Sequence, residues 1–289
     1  MVFKKLRIFL EMIKFEHTLF ALPFAYIGAL LTELRIPSGY DLLWITLAMM
    51  GARTAAMSFN RLVDRHIDAR NPRTAQRALP KGMLGVGEVW LYVIFSFALL
   101  GVSAYNLSSL AFQLFPVAVL ALSFYSYTKR FTWTCHFWCG VALGLAPLGA
   151  WVAITGSFHP APLLLGVGVL LWVAGFDILY ACDDYDFDRR ENIFSIPARF
   201  GIPTALRIST VLHVLAPGFF LAVGFVLNLG LMYLIGVLIA TGLLFYQHIL
   251  VKPEDLSKTG LAFFNLNGIL SVMMFVFTLA DILFPFQIL

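Results

Sequence analysis

The chain has 289 residues, 60% of them hydrophobic and 12% charged, and a formal net charge of +4. A mean hydropathy of +0.86, carried by repeated apolar runs near twenty residues, excludes an ordinary soluble domain. A transmembrane β-barrel is excluded as well, because its short segments of alternating polarity do not occur.

The composition therefore points to an all-α, polytopic membrane protein organised as a single transmembrane domain over residues 1–289. The opening "MVFKKLRIFLEMIKFEHTLF" lacks a long apolar core followed by a small-residue cleavage site. The first span is therefore expected to act as its own insertion signal. Apolar runs predict nine transmembrane helices, at about 15–33, 40–60, 87–106, 109–128, 135–155, 162–182, 204–226, 230–250 and 261–284. Each is long enough to cross a hydrocarbon core of roughly 30 Å at about 1.5 Å rise per residue. The links "YNLSSL" and "LNLG" are short enough to require tight antiparallel hairpins.

Lysine and arginine give the expected orientation. Lys4, Lys5, Arg7 and Lys14 precede or open the first span. With nine spans, the linkers holding Arg61 through Lys81, Lys129 and Arg130, Arg189, Arg190 and Arg199, and Lys252 and Lys258 fall on that same side. The opposite side offers Arg35 between spans. The N-terminus is thus expected in the cytoplasm.

The charges are concentrated in two stretches. In "NRLVDRHIDARNPRTAQRALP", Asn60, Asp64 and Asp68 recur every four residues and stack along one helical stripe. In "DILYACDDYDFDRR", Asp184 and Asp188 repeat that spacing, with Asp177 two turns earlier. Rows of carboxylate beside a membrane repel one another, and a hard cation removes that cost. Mg²⁺ characteristically binds through one or two carboxylates plus substrate phosphates. Arg73 and Arg77, also four apart, and Lys129 in "YSYTKR" could close over the remaining phosphate oxygens. Arg65, Arg70, Asp183, Asp186, Arg189 and Arg190 are expected to be solvated loop charges. The position of each cluster, after the second helix of a similar set, is consistent with a weak internal duplication around one cavity.

Within these motifs the chain resembles the UbiA superfamily of intramembrane prenyltransferases, and among them the 4-hydroxybenzoate polyprenyltransferases and their menaquinone-pathway relatives. The resemblance rests on "NRLVDRHID", "NPRTAQRALPKG", "DILYACDDYDFD" and "FSIPARFG", with "IKFEHTLFALPFAYIGALL" in support. It implies nine helices around a central cavity, in a bacterial cytoplasmic membrane, with the cavity mouth facing the cytoplasm. It also implies Mg²⁺ held by Asn60, Asp64 and Asp68 on one side and by Asp184 and Asp188 on the other. Diphosphate contacts would fall on Arg73, Arg77 and Lys129, and acceptor-side residues on Arg53, Tyr125, Asp177 and Tyr180. Asp183 departs from the pattern, where relatives usually carry an uncharged residue.

The implied function is Mg²⁺-dependent transfer of a polyprenyl group from an isoprenoid diphosphate to an aromatic acid, 4-hydroxybenzoate first, in ubiquinone or menaquinone biosynthesis. The expected partners are those two substrates and the bilayer, with neither a nucleic acid nor a protein partner implied. Arg53, two turns before Asn60, is a costly charge within a span and is expected to face the cavity. There it would pair with the acceptor carboxylate or with Asp177, and Asp177 would orient the acceptor hydroxyl or accept a proton. Aromatic faces would stabilise an allylic cation by roughly 0.5–2 kcal/mol each, with Tyr125 and Tyr180 the foremost candidates. "CHFWC" (Cys135, His136, Cys139) opens an apolar span without a fourth metal ligand, so no metal site is expected there, and Cys135, Cys139 and Cys182 read as packing residues. His17 reads as a polar interface residue, His213 as a hydrogen-bonded bundle residue, and Ser195 as a phosphate contact or a helix cap. Other acceptors, among them a dihydroxynaphthoate, homogentisate and haem, remain open, as does a non-enzymatic transporter of organic anions.

Overall fold

The computed structural model describes residues 2–14 and 18–285. His17 lies outside the described residues. Twelve helices follow one another: α1 (Val2–Met12), α2 (Thr18–Leu30), α3 (Gly39–Arg70), α4 (Val86–Leu107), α5 (Ser109–Thr128), α6 (Cys135–Thr155), α7 (Pro160–Ala181), α8 (Tyr185–Arg190), α9 (Ile196–Phe200), α10 (Ile202–Leu227), α11 (Leu231–Leu250) and α12 (Thr259–Leu283). Among the described residues, an isolated bridge between Lys252 and Asp255 is the only extended pairing.

Among the described residues, eight helices are long and apolar enough to span a membrane, where nine were expected. The difference is the first one. The described part of that segment is α2, a 13-residue helix with Pro23 inside it. At about 1.5 Å per residue it is too short for a 30 Å core. It is nonetheless central, since Phe24, Ala25, Ile27 and Ala29 are fully buried. The predicted 40–60 span is also longer than expected. α3 runs 32 residues to Arg70 and carries Asn60, Asp64 and Asp68 beyond the apolar stretch without a break.

Sequence explains the turns. Ser108 is both the C-cap of α4 and the N-cap of α5, its side chain accepting the Ala111 N–H at 3.1 Å, so one residue makes that hairpin. Asn228 ends α10 in the left-handed conformation that asparagine tolerates, and Gly230 opens α11.

Neighbouring helices close a ring in the order α2, α3, α4, α5, α6, α7, α10, α11, α12 and back to α2. Small residues allow close helix crossings. A Cβ on Gly144 would lie 2.6 Å from the Gly166 carbonyl oxygen, so α6 and α7 touch backbone to backbone. Trp172, Phe24 and Phe220 fill the adjoining core.

Candidate active site

A cavity of about 700 Å³ lies within this ring. Its far part is apolar, bordered by residues such as Leu107, Ala111, Ala146 and Phe158. The other end is polar. Every residue singled out from sequence borders it: Arg53, Asn60, Asp64, Asp68, Arg73, Arg77, Tyr125, Lys129, Asp177, Tyr180, Asp184 and Asp188. That volume is within the range of small-molecule sites.

The first row stands on the last turns of α3. Asp64 is 2% exposed. It accepts hydrogen bonds from Asn60 Nδ2 at 3.1 Å and Arg130 Nη1 at 3.1 Å, and pairs with Lys129 Nζ at 2.5 Å. Asp68, one turn on, receives Arg77 Nη1 at 2.8 and 2.9 Å on its two oxygens, with Arg61 Nη1 3.7 Å away. A buried carboxylate has to be paired, and these bases meet that requirement from three different segments.

The second row departs from the expected regular helix. α7 ends at Ala181, a 3₁₀ turn covers Cys182–Asp184, and α8 begins at Tyr185. Asp177, Asp184 and Asp188 therefore sit on three successive pieces rather than one stripe. The tighter 3₁₀ winding lets the chain turn across the cavity mouth. Asp184 is held there by Arg73, through Nε at 3.0 Å and a second contact from Nη2, and by Asn71 Nδ2 at 2.9 Å. Arg73 also donates to the Tyr180 hydroxyl. Partial burial lowers the Arg73 pKa, but the hydrogen bond to Asp184 and the charge of that carboxylate outweigh it and hold the guanidinium above its ordinary value. Asp188 is buried, and its carbonyl accepts the Ile193 N–H at 2.8 Å. Phe194 N–H donates to the Lys129 carbonyl, which joins this segment to the end of α5.

Arg73, Arg77 and Lys129, assigned from sequence to phosphate, thus contact the carboxylates directly. Asp64, Asp68 and Asp184 are each paired with bases brought from the loop after α3 or the end of α5.

Deeper in the cavity, Arg53 Nη2 lies 3.4 Å from the Lys14 carbonyl. Asp177 pairs with His136 Nδ1 at 2.7 Å, so the partner of this carboxylate is a histidine. Tyr180 stacks on Phe263 with ring centroids 4.1 Å apart. Tyr125 donates to the Ala56 carbonyl at 3.4 Å.

Sequence reading missed His136, Arg130, Arg61, Asn71 and Phe263. His136, set aside with the dismissed metal motif, is a polar residue on the cavity wall, and Cys135 and Cys139 border the cavity beside it. A signal existed for Arg130, adjacent to Lys129, and for Asn71, inside a motif already in view. Phe263 is one of 28 phenylalanines and carried none. Of the loop charges, Arg70 pairs with Glu191 at 2.9 Å, while Asp183 and Asp186 are exposed. His213 is hydrogen-bonded between helices, to His248 at 3.0 Å and the Trp172 carbonyl at 3.1 Å.

Comparison with known proteins places this geometry. The family model described as the UbiA prenyltransferase family matches residues 21–269. The 4-hydroxybenzoate octaprenyltransferase of Vibrio cholerae serotype O1 is 32% identical over 188 residues, covering 64% of this chain and 62% of that protein. The chain thus spans a little under two thirds of that relative's length. The apo structure of a UbiA homolog from Aeropyrum pernix K1 is similar with a TM-score of 0.85 and 32% identity, over 92% of this chain and 98% of that one. A UbiA homolog from Archaeoglobus fulgidus, bound to DMAPP and Mg²⁺, shares the fold with a TM-score of 0.71 and 21% identity, over 96% of this chain and 99% of that one. With the family model matched over most of its length, the chain belongs to the UbiA prenyltransferase family.

Proposed function

We propose that this protein transfers a polyprenyl group from an isoprenoid diphosphate to an aromatic acid, 4-hydroxybenzoate before others, in a Mg²⁺-dependent reaction that supplies a quinone precursor. The observation that carries this is the stacking of two features in one cavity. Four aspartates and three bases crowd its mouth, and an arginine and an aspartate lie below them against apolar walls. Support comes from the octaprenyltransferase relative of Vibrio cholerae and from the Archaeoglobus fulgidus homolog bound to DMAPP and Mg²⁺.

The donor set fits a hard divalent ion. Asp64, Asp68, Asp184 and Asp188, with Asn60, offer oxygen only. Among the described residues, no group of three His, Cys, Asp or Glu converges tightly enough to hold a metal without other ligands. Diphosphate and water would have to complete the shell, which is how Mg²⁺ ordinarily binds. Bound there, the ion neutralises charge on the leaving diphosphate.

The chain's own residues do the rest. Arg73, Arg77 and Lys129 exchange part of their hold on carboxylate for diphosphate oxygens and stabilise the leaving group. The C–O bond breaks with its electron pair going to diphosphate. A ring carbon of the acceptor supplies the pair for the new C–C bond, and the proton it loses balances the reaction. The apolar walls exclude water from the allylic cation, and Tyr180 and Phe263, stacked on each other, form part of that wall. Arg53 takes the acceptor's carboxylate and Asp177 its hydroxyl.

The whole chain acts as one transmembrane domain, in a bacterial cytoplasmic membrane with the charged mouth toward the cytoplasm. Purified protein, a labelled isoprenoid diphosphate and a panel of aromatic acids test the reading. Prenylated 4-hydroxybenzoate that disappears with EDTA and returns with Mg²⁺ supports it. Turnover of homogentisate or a dihydroxynaphthoate in its place would reassign the acceptor. No prenylated product, with movement of an organic anion across vesicles, would replace the enzyme by a transporter.

A further inference from the structure

His136 is a buried titratable group for which the proposed reaction has no role. It lies in the first turn of α6, is 3% exposed and borders the cavity. Both ring nitrogens are engaged. Nε2 accepts the Ile196 backbone N–H at 3.2 Å, and Nδ1 stands 2.7 Å from Asp177 Oδ2. A backbone amide only donates, so Nε2 presents its lone pair, and the ring hydrogen is on Nδ1, where it donates to Asp177.

Ile196 is the first residue of α9, and its N–H is among those that a helix start leaves without an intrahelical acceptor. Ser195 accepts the Ala198 N–H at 3.3 Å, and His136 accepts the one from Ile196. A single imidazole therefore ties α6 to α7 and to the start of α9. The backbone amide sets the tautomer, and the tautomer sets the orientation of the carboxylate, which is the logic of an aspartate–histidine pair read in reverse.

We propose that His136 is a positioning residue for the acceptor step: it holds Asp177 by Oδ2 and leaves Oδ1 to take the hydrogen of the acceptor's hydroxyl. This rests on the aromatic-acid reading above. The hydroxyl proton moves to Asp177 Oδ1, and the O–H electron pair stays on oxygen and enriches the ring. The adjacent ring carbon attacks, the C–O pair leaves on diphosphate, and the displaced ring proton leaves with it. Asp177 then returns its proton to the oxygen as aromaticity is restored.

Two variants separate positioning from support of the fold. His136→Asn keeps a donor N–H near the Nδ1 position but does not reach Ile196. His136→Gln reaches Ile196 with its carbonyl but offers Asp177 no donor. Each is purified, checked for its thermal midpoint, and assayed with one labelled prenyl diphosphate. The acceptors are 4-hydroxybenzoate and a ring-fluorinated analogue whose hydroxyl ionises more readily. His136→Asn is expected to stay within about 3-fold of wild-type kcat, and His136→Gln to fall roughly 10- to 100-fold, at the low end of general-base effects. KM for the diphosphate stays unchanged in both, and the His136→Gln deficit shrinks with the fluorinated acceptor, which needs the base less. The reverse order of the two variants, or an equal deficit with both acceptors, would overturn the proposal and leave His136 as a support for α9. If wild-type protein prenylates no aromatic acid, the function proposed above fails and this inference fails with it. If wild type is active and His136→Gln matches it, this inference alone fails.

Discussion

Asp64 shows how much rests on single side chains at the mouth. It is nearly inaccessible and holds Lys129, Arg130 and Asn60 together. Truncating it to alanine strips Lys129 and Arg130, both partly exposed, of their carboxylate and opens a gap at the mouth, which confounds stability with chemistry. Asp64→Asn and Asp184→Asn keep the shape and remove the charge. Each is expected to lower kcat by at least roughly 10²-fold, the scale seen when one preorganised electrostatic group is lost. The thermal midpoint should fall less than with alanine, because the amide oxygen still accepts hydrogen bonds from the neighbouring bases. Initial rates against diphosphate concentration check this, and near wild-type turnover in both variants would remove the aspartate rows from the mechanism. In the proposed reaction Arg53 serves the acceptor instead. Arg53→Lys keeps the charge but loses the planar fork, so KM for the aromatic acid should rise about 10-fold or more while KM for the diphosphate holds. Equal changes in both constants would detach Arg53 from the acceptor.

Between residues and fold stand two irregular elements. One is the 3₁₀ turn at Cys182–Asp184, which bends the second row over the mouth. The other is a π-helical turn at Ala262–Leu266 within α12. Such turns widen the helix and leave carbonyls to be satisfied. Asn267 does this, donating to Ala262 at 3.2 Å and Phe263 at 2.9 Å, while its own oxygen accepts from Trp172 and Gln247 at 2.8 Å each. The turn presents Phe263 flat to Tyr180, and Tyr180 accepts from Arg73 at the diphosphate end. Asn267→Leu removes four hydrogen bonds. At about 0.6 kcal/mol each for bonds within membranes, that amounts to roughly 2–3 kcal/mol of stability. A thermal-shift measurement in detergent checks the loss. Turnover measured well below the new midpoint should also fall, because the aromatic wall shifts. A variant that unfolds earlier yet turns over normally when folded would show that the turn serves stability alone.

At the scale of the whole molecule, one end of the bundle carries the site and nearly all of the positive charge. The loops at 71–85, 129–134, 182–201 and 251–258 lie at that end, and those at 31–38 and 156–159 at the other, where Arg35 is the basic residue. By the positive-inside tendency this asymmetry supports the proposed placement of the mouth in the cytoplasm. In a cysteine-free background, Ser157→Cys is expected to react with an impermeant maleimide in intact cells, and Glu254→Cys only after permeabilisation. The opposite labelling pattern would place the mouth outside. Mouth and cavity share one ring, so in the proposed reaction diphosphate would enter from water at one end while its prenyl tail occupied the apolar part.

Much of this was readable from one chain. Composition forces helices, because a bilayer leaves backbone groups no partners except one another. Helical periodicity puts Asn60, Asp64 and Asp68 on one face, since side chains four apart overlie each other. Lysine and arginine counts give an orientation. What the linear order could not contain are contacts between residues far apart in it. His136 meets Asp177 across 41 positions and Arg73 meets Asp184 across 111. Phe263 becomes special only because a π turn sets it against Tyr180. Periodicity reports which face of a helix a residue occupies, and only packing determines which other face it meets.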